Sequence, residues 1–453
     1  MRKLLLALFP FLVSARCFSQ NDDSLMIRRI ADEILLHSKA YDNLHDLTKN
    51  IGGRLTASPG FYKAEKWGLK TLQQAGADKA WLQECIVPHW IRGGKDEAAA
   101  YFSSKKKNLD VIALGNSLGS GGKEIRAGAI EVSSFDDLNK KEDQVKGKIV
   151  FYNYKFNATF VNTFQAYGDA VRYRGVGASQ AAKYGAVAVI VRSMSESTDN
   201  NPHTGSLRYD TTLPKIPAVA IGLKDADWLD STLSQKQVTV SLRTNGHFLP
   251  DTVGHNVIGE LTGSEFPDQY ITVGGHLDSW DPAEGANDDG SGIVQTIEIL
   301  RTLKALGYKP KHTIRFVLFA NEENGLRGGL KYAEEAKSKN EKHIFALESD
   351  AGSFTPRSFT FGGSPQQSEQ VRSWIPLLLP YGVYQFTAGE GGSDIGPLRS
   401  LNTAVSELSP DSQRYFDYHH ARNDVFENVN KRELELGAVN MAALVYLVDK
   451  YGL

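Results

Sequence analysis

The chain has 453 residues, 41% hydrophobic and 23% charged, with 51 Lys+Arg against 53 Asp+Glu. Those fractions are ordinary for a folded, water-soluble protein, and the length exceeds one ordinary core, so two domains or one large domain with an insertion are expected. A formal net charge of −2 gives no general pull toward nucleic acid or an anionic membrane, and no basic stripe supplies a local one.

"MRKLLLALFPFLVSARCFSQ" opens with Arg2 and Lys3, runs apolar from Leu4 to Ala15, and offers small residues at Cys17 and Ser19 ahead of Gln20. This signal-peptide pattern assigns residues 1–19 to a removed leader. The apolar run is too short to span a bilayer, which takes roughly 20 residues. Arg16 beside Cys17 argues against a lipid-anchored cysteine. No other segment is long and apolar enough to cross, so the expectation is an exported chain without a membrane span: periplasmic or extracellular, or lysosomal or secretory in a eukaryote. Cys17 and Cys85 are the only cysteines. Loss of the leader leaves Cys85 alone, which excludes an intramolecular disulfide, cysteine-ligated zinc and dithiol redox chemistry.

Residues 22–50 carry helical apolar spacing at Leu25, Ile30, Ile34 and Leu35. "NIGGRLTASPG" (50–60) breaks it with glycine and proline, and a second helix is expected over about 61–76. From about 100 to 247 come short β-rich runs: "GKIVFYN" (147–153), "GAVAVIVRS" (185–193) and "IPAVAIG" (216–222), with a helix-like "GASQAAKYG" (177–185). The stretches "VKGKIV", "AAKYGAVAVIV" and "IPAVAI" resemble a protease-associated domain, which makes 100–247 an insert between 20–99 and 248–453. Beyond it the pattern becomes strand–loop–helix. "HNVIGEL" (255–261) leads into a buried strand "YITVGG" (270–275) and an amphipathic helix (291–307) closing on Gly307. A second buried strand (312–321), a helix (325–337) and a third strand (344–352) follow. The expected fold class is therefore α/β, a largely parallel mixed sheet flanked by helices with a β-rich insert.

Chemistry-bearing residues gather at the carboxyl edge of those strands, where open α/β sheets build their sites. His276 and Asp278 follow the first strand, Glu322 and Glu323 the second, and Asp350 ends the third. Clustered carboxylates repel unless a counter-ion joins them, and no lysine or arginine cluster lies on these loops. A divalent cation would serve. Histidine with oxygen donors and no cysteine suits zinc, or cobalt or manganese. Calcium fits less well, because "DSWDPAEGANDDG" lacks EF-hand spacing and calcium has no need of His276. Each piece alone has a bland reading: "NDDG" as a turn, "NEENG" as a helix start, Asp350 as a cap, "YHHARND" (418–424) as a surface loop. Their joint occurrence at successive strand ends makes the bland readings improbable.

Together, "GGHLDS", "GANDDGSG", "NEENG", "ESDAG" and "HHARND" resemble the exported di-zinc exopeptidases, the family of secreted aminopeptidases, carboxypeptidase Q and glutamate carboxypeptidase II, with the carboxypeptidase Q group nearest in layout. The resemblance covers nearly the whole mature chain and implies two Zn2+ per chain with a water between them. It implies that Asp288 bridges the ions, that His276 and Asp350 complete one, and that Glu323 and His420 complete the other. Glu322 would be the general base, and Asp278 would orient His276. His420 is chosen over His419 because the family histidine precedes an acid by four positions, as His420 precedes Asp424. His419 stands where the family often has tyrosine, and Ile395 in "GGSDIGPL" where it often has histidine. Both departures touch substrate contacts rather than ligands. Asp281, Glu284 and Asp289 read as rim or turn residues. The resemblance further implies a peptide substrate and, by itself, a homodimer.

"GNSLG" (115–119) matches a serine-nucleophile elbow, but no helix-forming stretch follows it, so a serine hydrolase is set aside. "NAT" at Asn157 is a glycosylation acceptor only in a host that glycosylates. His37, His45 and His203 lack acidic company and read as structural. Two function classes remain: an active di-metal exopeptidase, and a non-catalytic binding relative on the same scaffold. Loss of a ligand or of the base would favour the second; none is missing. Aminopeptidase and carboxypeptidase or dipeptidase specificity stay equally open.

Overall fold

A computed structural model describes residues 9–453, with side chains from Asp22 onward. The basic start of the expected leader, Arg2 and Lys3, lies outside the described residues. Helix α1 (Phe9–His37) and helix α2 (Pro59–Gln74) precede strand β1 (Lys79–Ile91). Ser58 caps α2 through its hydroxyl, which accepts the Phe61 N–H, and Pro59 occupies the first turn where its missing donor costs nothing.

After β1 the chain enters the insert. Its strands are β2 (Glu97–Phe102), β3 (Lys105–Leu109), β4 (Val111–Ala113), β5 (Ile125–Val132), β6 (Ile149–Tyr152), β7 (Ala188–Arg192), β8 (Ala218–Ile221) and β9 (Thr239–Arg243), with helix α3 (Thr163–Gly175) between β6 and β7. They form one sheet in the order β3-β2-β9-β5-β6-β7-β8-β4, and β5 through β8 run parallel. The three apolar runs singled out in the sequence are its central strands β6, β7 and β8, buried along nearly their whole length.

The chain leaves the insert through β10 (His247–Leu261), antiparallel to β1, with Ile91 opposite His247. The insert is thus held at the tip of a two-stranded ribbon. Then come β11 (Phe266–His276), helix α4 (Ser291–Ala305), β12 (His312–Phe319), helix α5 (Arg327–Ser338), β13 (Lys342–Glu348), β14 (Pro356–Gly362), β15 (Gln385–Ala388), β16 (Ala404–Pro410) and the C-terminal helix α6 (Lys431–Tyr451). The core sheet has the order β1-β10-β12-β11-β13-β16-β14-β15. Its centre, β12-β11-β13-β16, is parallel; β1, β10 and β14 join antiparallel. All eight residues of β12 are buried, as a strand covered by helices on both faces must be.

One face of the sheet packs against α1, α2, α4 and α6, the other against α5. Helix α4 departs from the amphipathic expectation: every residue from Ser291 to Leu300 is buried, because α1 and α6 cover the side that would have faced water. Its Glu298 is compensated by Arg301 and by the Lys39 N–H. Asp350 lies past the end of β13 rather than within the strand, on the loop where the site forms. The insert closes over that edge: Phe164 stacks on Tyr415 with ring centroids 5.1 Å apart, and Tyr167 on Phe416 at 4.9 Å. No helix among the described residues is long and apolar enough to cross a membrane.

Candidate metal centre

The parallel strands deliver the first group of ligand candidates. His276 is the last residue of β11, only 1% exposed. Its Nε2 lies 3.2 Å from Asp350 Oδ1 and 3.2 Å from Asp288 Oδ1. The other oxygen of Asp288, Oδ2, lies 3.2 Å from His420 Nε2, which is 3.0 Å from Glu323 Oε2. One carboxylate therefore faces a histidine on each side, and each histidine has one further acid. Asp288 Oδ2 and Glu323 Oε1 are buried without a hydrogen-bond partner, the condition of donors that await a cation.

The electrostatics agree. Burial alone would pull both imidazoles down. For His276 the facing Asp350 and Asp288 overcome it and hold the ring well above its usual range. For His420, Glu323 and Asp288 raise it to about 10. Burial pushes Glu323 up to about 7, with Asp288 adding to the rise. Burial, Asp350 and Glu323 push Glu322 upward, against the pull of His276. A field that forces protons onto two buried histidines is a field that attracts divalent cations.

Supporting contacts differ from the expected ones in an informative way. His276 Nδ1 donates to the main-chain carbonyl of Asp278 at 3.0 Å, whereas the Asp278 carboxylate is 3.9 Å away. That carboxylate accepts instead from the Glu322 N–H (3.1 Å) and the Thr56 hydroxyl (2.7 Å). Asp278 thus orients the histidine through its backbone and ties the Glu322 turn to β11 through its side chain. Asp289 is no rim residue. It is fully buried, accepting the His276 N–H at 2.9 Å and the Gly292 N–H at 3.0 Å. With Asp350 it also brings an oxygen near His276, while Asp288, His419 and His420 form a second group whose ligand atoms lie within 4.8 Å of one another. Both Asp289 oxygens are already committed, and His419 Nε2 is 3.9 Å from Asp288. His419 stacks on His420 with centroids 3.6 Å apart.

Several functional residues escaped the sequence reading. Arg54, fully buried, donates to the carbonyls of Leu277 (2.6 Å), Glu284 (2.6 Å) and Gly285 (2.9 Å). It is the cation beneath the acidic turn, and it comes from the Gly/Pro stretch that read only as a helix break. Asp424 accepts the Asn287 N–H (2.8 Å) and Asp288 N–H (3.1 Å), joining the His420 loop to the Asp288 turn. Its carboxyl is pushed up to about 7, chiefly by burial. Asp281 and Glu284 hold salt bridges at the rim, to Arg92 and Lys49. Ser117 of the elbow-like motif is buried and accepts the Ala218 N–H. Gly115 of the same motif lies against Trp280, whose ring edge meets His420 at 5.8 Å.

The centre opens into a cavity of about 690 Å3. Glu322, Glu323, Asp350 and His420 line one side; Tyr167, Arg174 and Arg208 of the insert line the other.

With this geometry in view, three comparisons with known proteins converge. The family profile described as Peptidase family M28 matches residues 256–445, and that of the PA domain matches residues 112–229. Carboxypeptidase Q of Xenopus laevis is 35% identical over 421 residues, spanning 92% of this chain and 88% of that protein. A peptidase M28 precursor from Shewanella amazonensis SB2B superposes with a TM-score of 0.90 at 32% identity, covering 95% of this chain and 97% of that one. A zinc aminopeptidase from Bacillus subtilis shares the fold, with a TM-score of 0.63 at 20% identity over 90% of this chain and 94% of that one.

Proposed function

From the premise that this chain belongs to peptidase family M28, we propose that it is an exported di-zinc exopeptidase that hydrolyses short peptides, with Glu322 as general base. One observation carries the reading: the two oxygens of Asp288 face different histidines, His276 and His420, each at 3.2 Å. In this reading Asp350 joins the first pair and Glu323 the second, and the donor set of imidazole and carboxylate without cysteine suits zinc. Residues 1–19 are the export leader, and 20–99 with 248–453 form the peptidase unit around the insert at 100–247.

When bound, the two zinc ions supply the positive charge that polarises a peptide carbonyl and makes water acidic enough to attack at neutral pH. The rest is the work of this chain. Glu322 fronts the cavity, and among the described residues no hydrogen bond or ion pair engages its carboxylate. It takes the proton of the attacking water on a side-chain oxygen and passes it to the leaving amine nitrogen. Asp278 fixes the base by accepting its main-chain N–H at 3.1 Å. The aromatic wall of the insert closes the cavity to a size that fits a short peptide rather than a folded chain. Arg208, exposed on that wall, gives a substrate carboxylate a place to bind, which favours free short peptides over amides.

Purified protein should carry two zinc ions per chain. Chelation should abolish hydrolysis and zinc should restore it; full activity after verified metal removal overturns the reading. A panel of free dipeptides, N-blocked peptides and aminoacyl amides then separates carboxypeptidase or dipeptidase from aminopeptidase action.

A further inference from the structure

One carboxylate in the reaction cavity has no task in the chemistry above. Glu407 sits on β16, in register with Glu348 of β13, and lines the same cavity as Glu322 and Asp350. The backbone that carries it is fixed, since the neighbouring Ser406 hydroxyl donates to the Thr360 carbonyl at 2.6 Å. Among the described residues no hydrogen bond or ion pair engages the Glu407 carboxylate. Its charged surroundings are unfavourable, because the acids nearest it, Glu348 and Asp350, have the same sign.

The insert does not neutralise it. Arg174 is committed to the Tyr167 hydroxyl at 2.5 Å and to the Thr204 carbonyl at 3.5 Å. Arg208 is exposed and lines the cavity, and among the described residues it bonds to no acid. The two walls therefore present to one space a carboxylate and a guanidinium that find no counter-ion among the described residues.

Glu407 also lines a second cavity of about 450 Å3, so it is shared between the two spaces. Ser358, Thr360, Tyr384, Gln385 and Asn162 line it with neutral polar groups. The one arginine there, Arg357, lies half-exposed against Asp411 at 3.4 Å. Neutral hydrogen-bonding walls with a carboxylate at the mouth suit a long, charged-tipped side chain.

We propose that Glu407 reads positive charge on the substrate, accepting an ammonium or guanidinium group of a peptide held at the metal centre. This rests on the peptidase reading given above. Two sources can supply the cation: the side chain of a lysine or arginine reaching into the second cavity, or the free α-amine. Both make the same charge-assisted hydrogen bond with Glu407, and the substrate panel separates them.

The test measures kcat and KM of the zinc-loaded protein and of Glu407→Gln on dipeptides pairing alanine with lysine or its uncharged isostere norleucine, at either position, free and N-acetylated. Glu407→Asp serves as the conservative rescue. In the wild type, lysine should exceed norleucine in kcat/KM by on the order of 10- to 100-fold at one position, carried by KM, and Glu407→Gln should erase the preference while leaving norleucine substrates within about 2-fold. That outcome assigns the side chain. A loss of similar size on every free-amine substrate, with N-acetylated ones spared, assigns the α-amine. An unchanged lysine-to-norleucine ratio together with an unchanged free-to-acetylated ratio overturns the assignment of Glu407. A wild type that cleaves no member of the panel sinks the peptidase reading instead, so the two failures are distinct.

Discussion

The two halves of the metal centre are built differently. On the His276 side everything comes from the core sheet: the histidine ends β11, Asp289 holds its N–H, the Asp278 carbonyl holds its Nδ1, and Asp350 follows β13. On the His420 side the candidate ligand sits on a loop in a left-handed conformation, φ 60°. Its carbonyl accepts the N–H of Thr204, a residue of the insert, at 2.9 Å. Its ring lies between His419, which meets Tyr167 of the insert, and the edge of Trp280, which packs on Gly115 of the insert. One half is a product of strand register. The other is a product of contact between the peptidase core and the insert.

The largest effect expected is shared by both halves. Glu322→Gln should leave two zinc ions bound, by metal analysis, and lower kcat by about 10^2- to 10^4-fold. Near-normal turnover would remove Glu322 from the base role. A sharper pair of variants splits the halves. Asp289→Ala removes the acceptor of the His276 N–H and should weaken one of the two zinc ions by about 10- to 100-fold, as loss of a supporting partner does, through the His276 side. Gly115→Ala places a methyl 1.7 Å from the Trp280 ring and should weaken the other ion by a comparable or smaller factor. Zinc titration of each variant and of the double variant checks this: separate ions predict additive losses, and a single shared ion would make the pair non-additive.

The smallest effect concerns the metal-free protein. Burial raises Asp424, Glu323 and Glu348 to about 7. A carboxyl raised in the folded state keeps a proton that the unfolded chain has already released. Folding then takes up protons, and stability falls as pH rises from about 4.5 to about 7. Thermal melts across that window should show the decline, and zinc, which binds only the folded ligand set, should flatten it. A metal-free melting temperature that rises over the same window contradicts the burial of these acids.

The central fold was legible because β11, β12 and β13 are buried, near-continuous apolar runs whose ends carry acids. The ligand candidates His276, Asp288, Glu323, Asp350 and His420 were implied by the family resemblance, and they do converge in space. What escaped had no periodic signal. Strand β16, "AVSELSP", is seven residues long with no sustained polar–apolar alternation, and it carries Glu407. In "NDDG" nothing in the sequence says which aspartate turns inward. The backbone between them leaves helical geometry, so that Asp288 faces the histidines while Asp289 turns back to His276 N–H. Arg54 was unreadable for a different reason: its three carbonyl partners lie more than two hundred residues downstream, and a buried guanidinium that serves only main-chain oxygens leaves no charge pattern behind.

The ribbon formed by β1 and β10 bears on how the chain is made. A ribosome releases β1 well before its partner, with the whole of 92–246 between Ile91 and His247. Loop closure over that span costs little more than over a short one, but an unfolded span leaves the apolar edge of β1 open to wrong pairings while it waits. A finished insert removes the wait. Its first strand, β2, lies beside its last, β9, with Glu97 opposite Arg243, so that folding of the insert delivers both ends to one place. Folding of the insert thereby sets Ile91 and His247 side by side, where the ribbon leading into the core sheet begins.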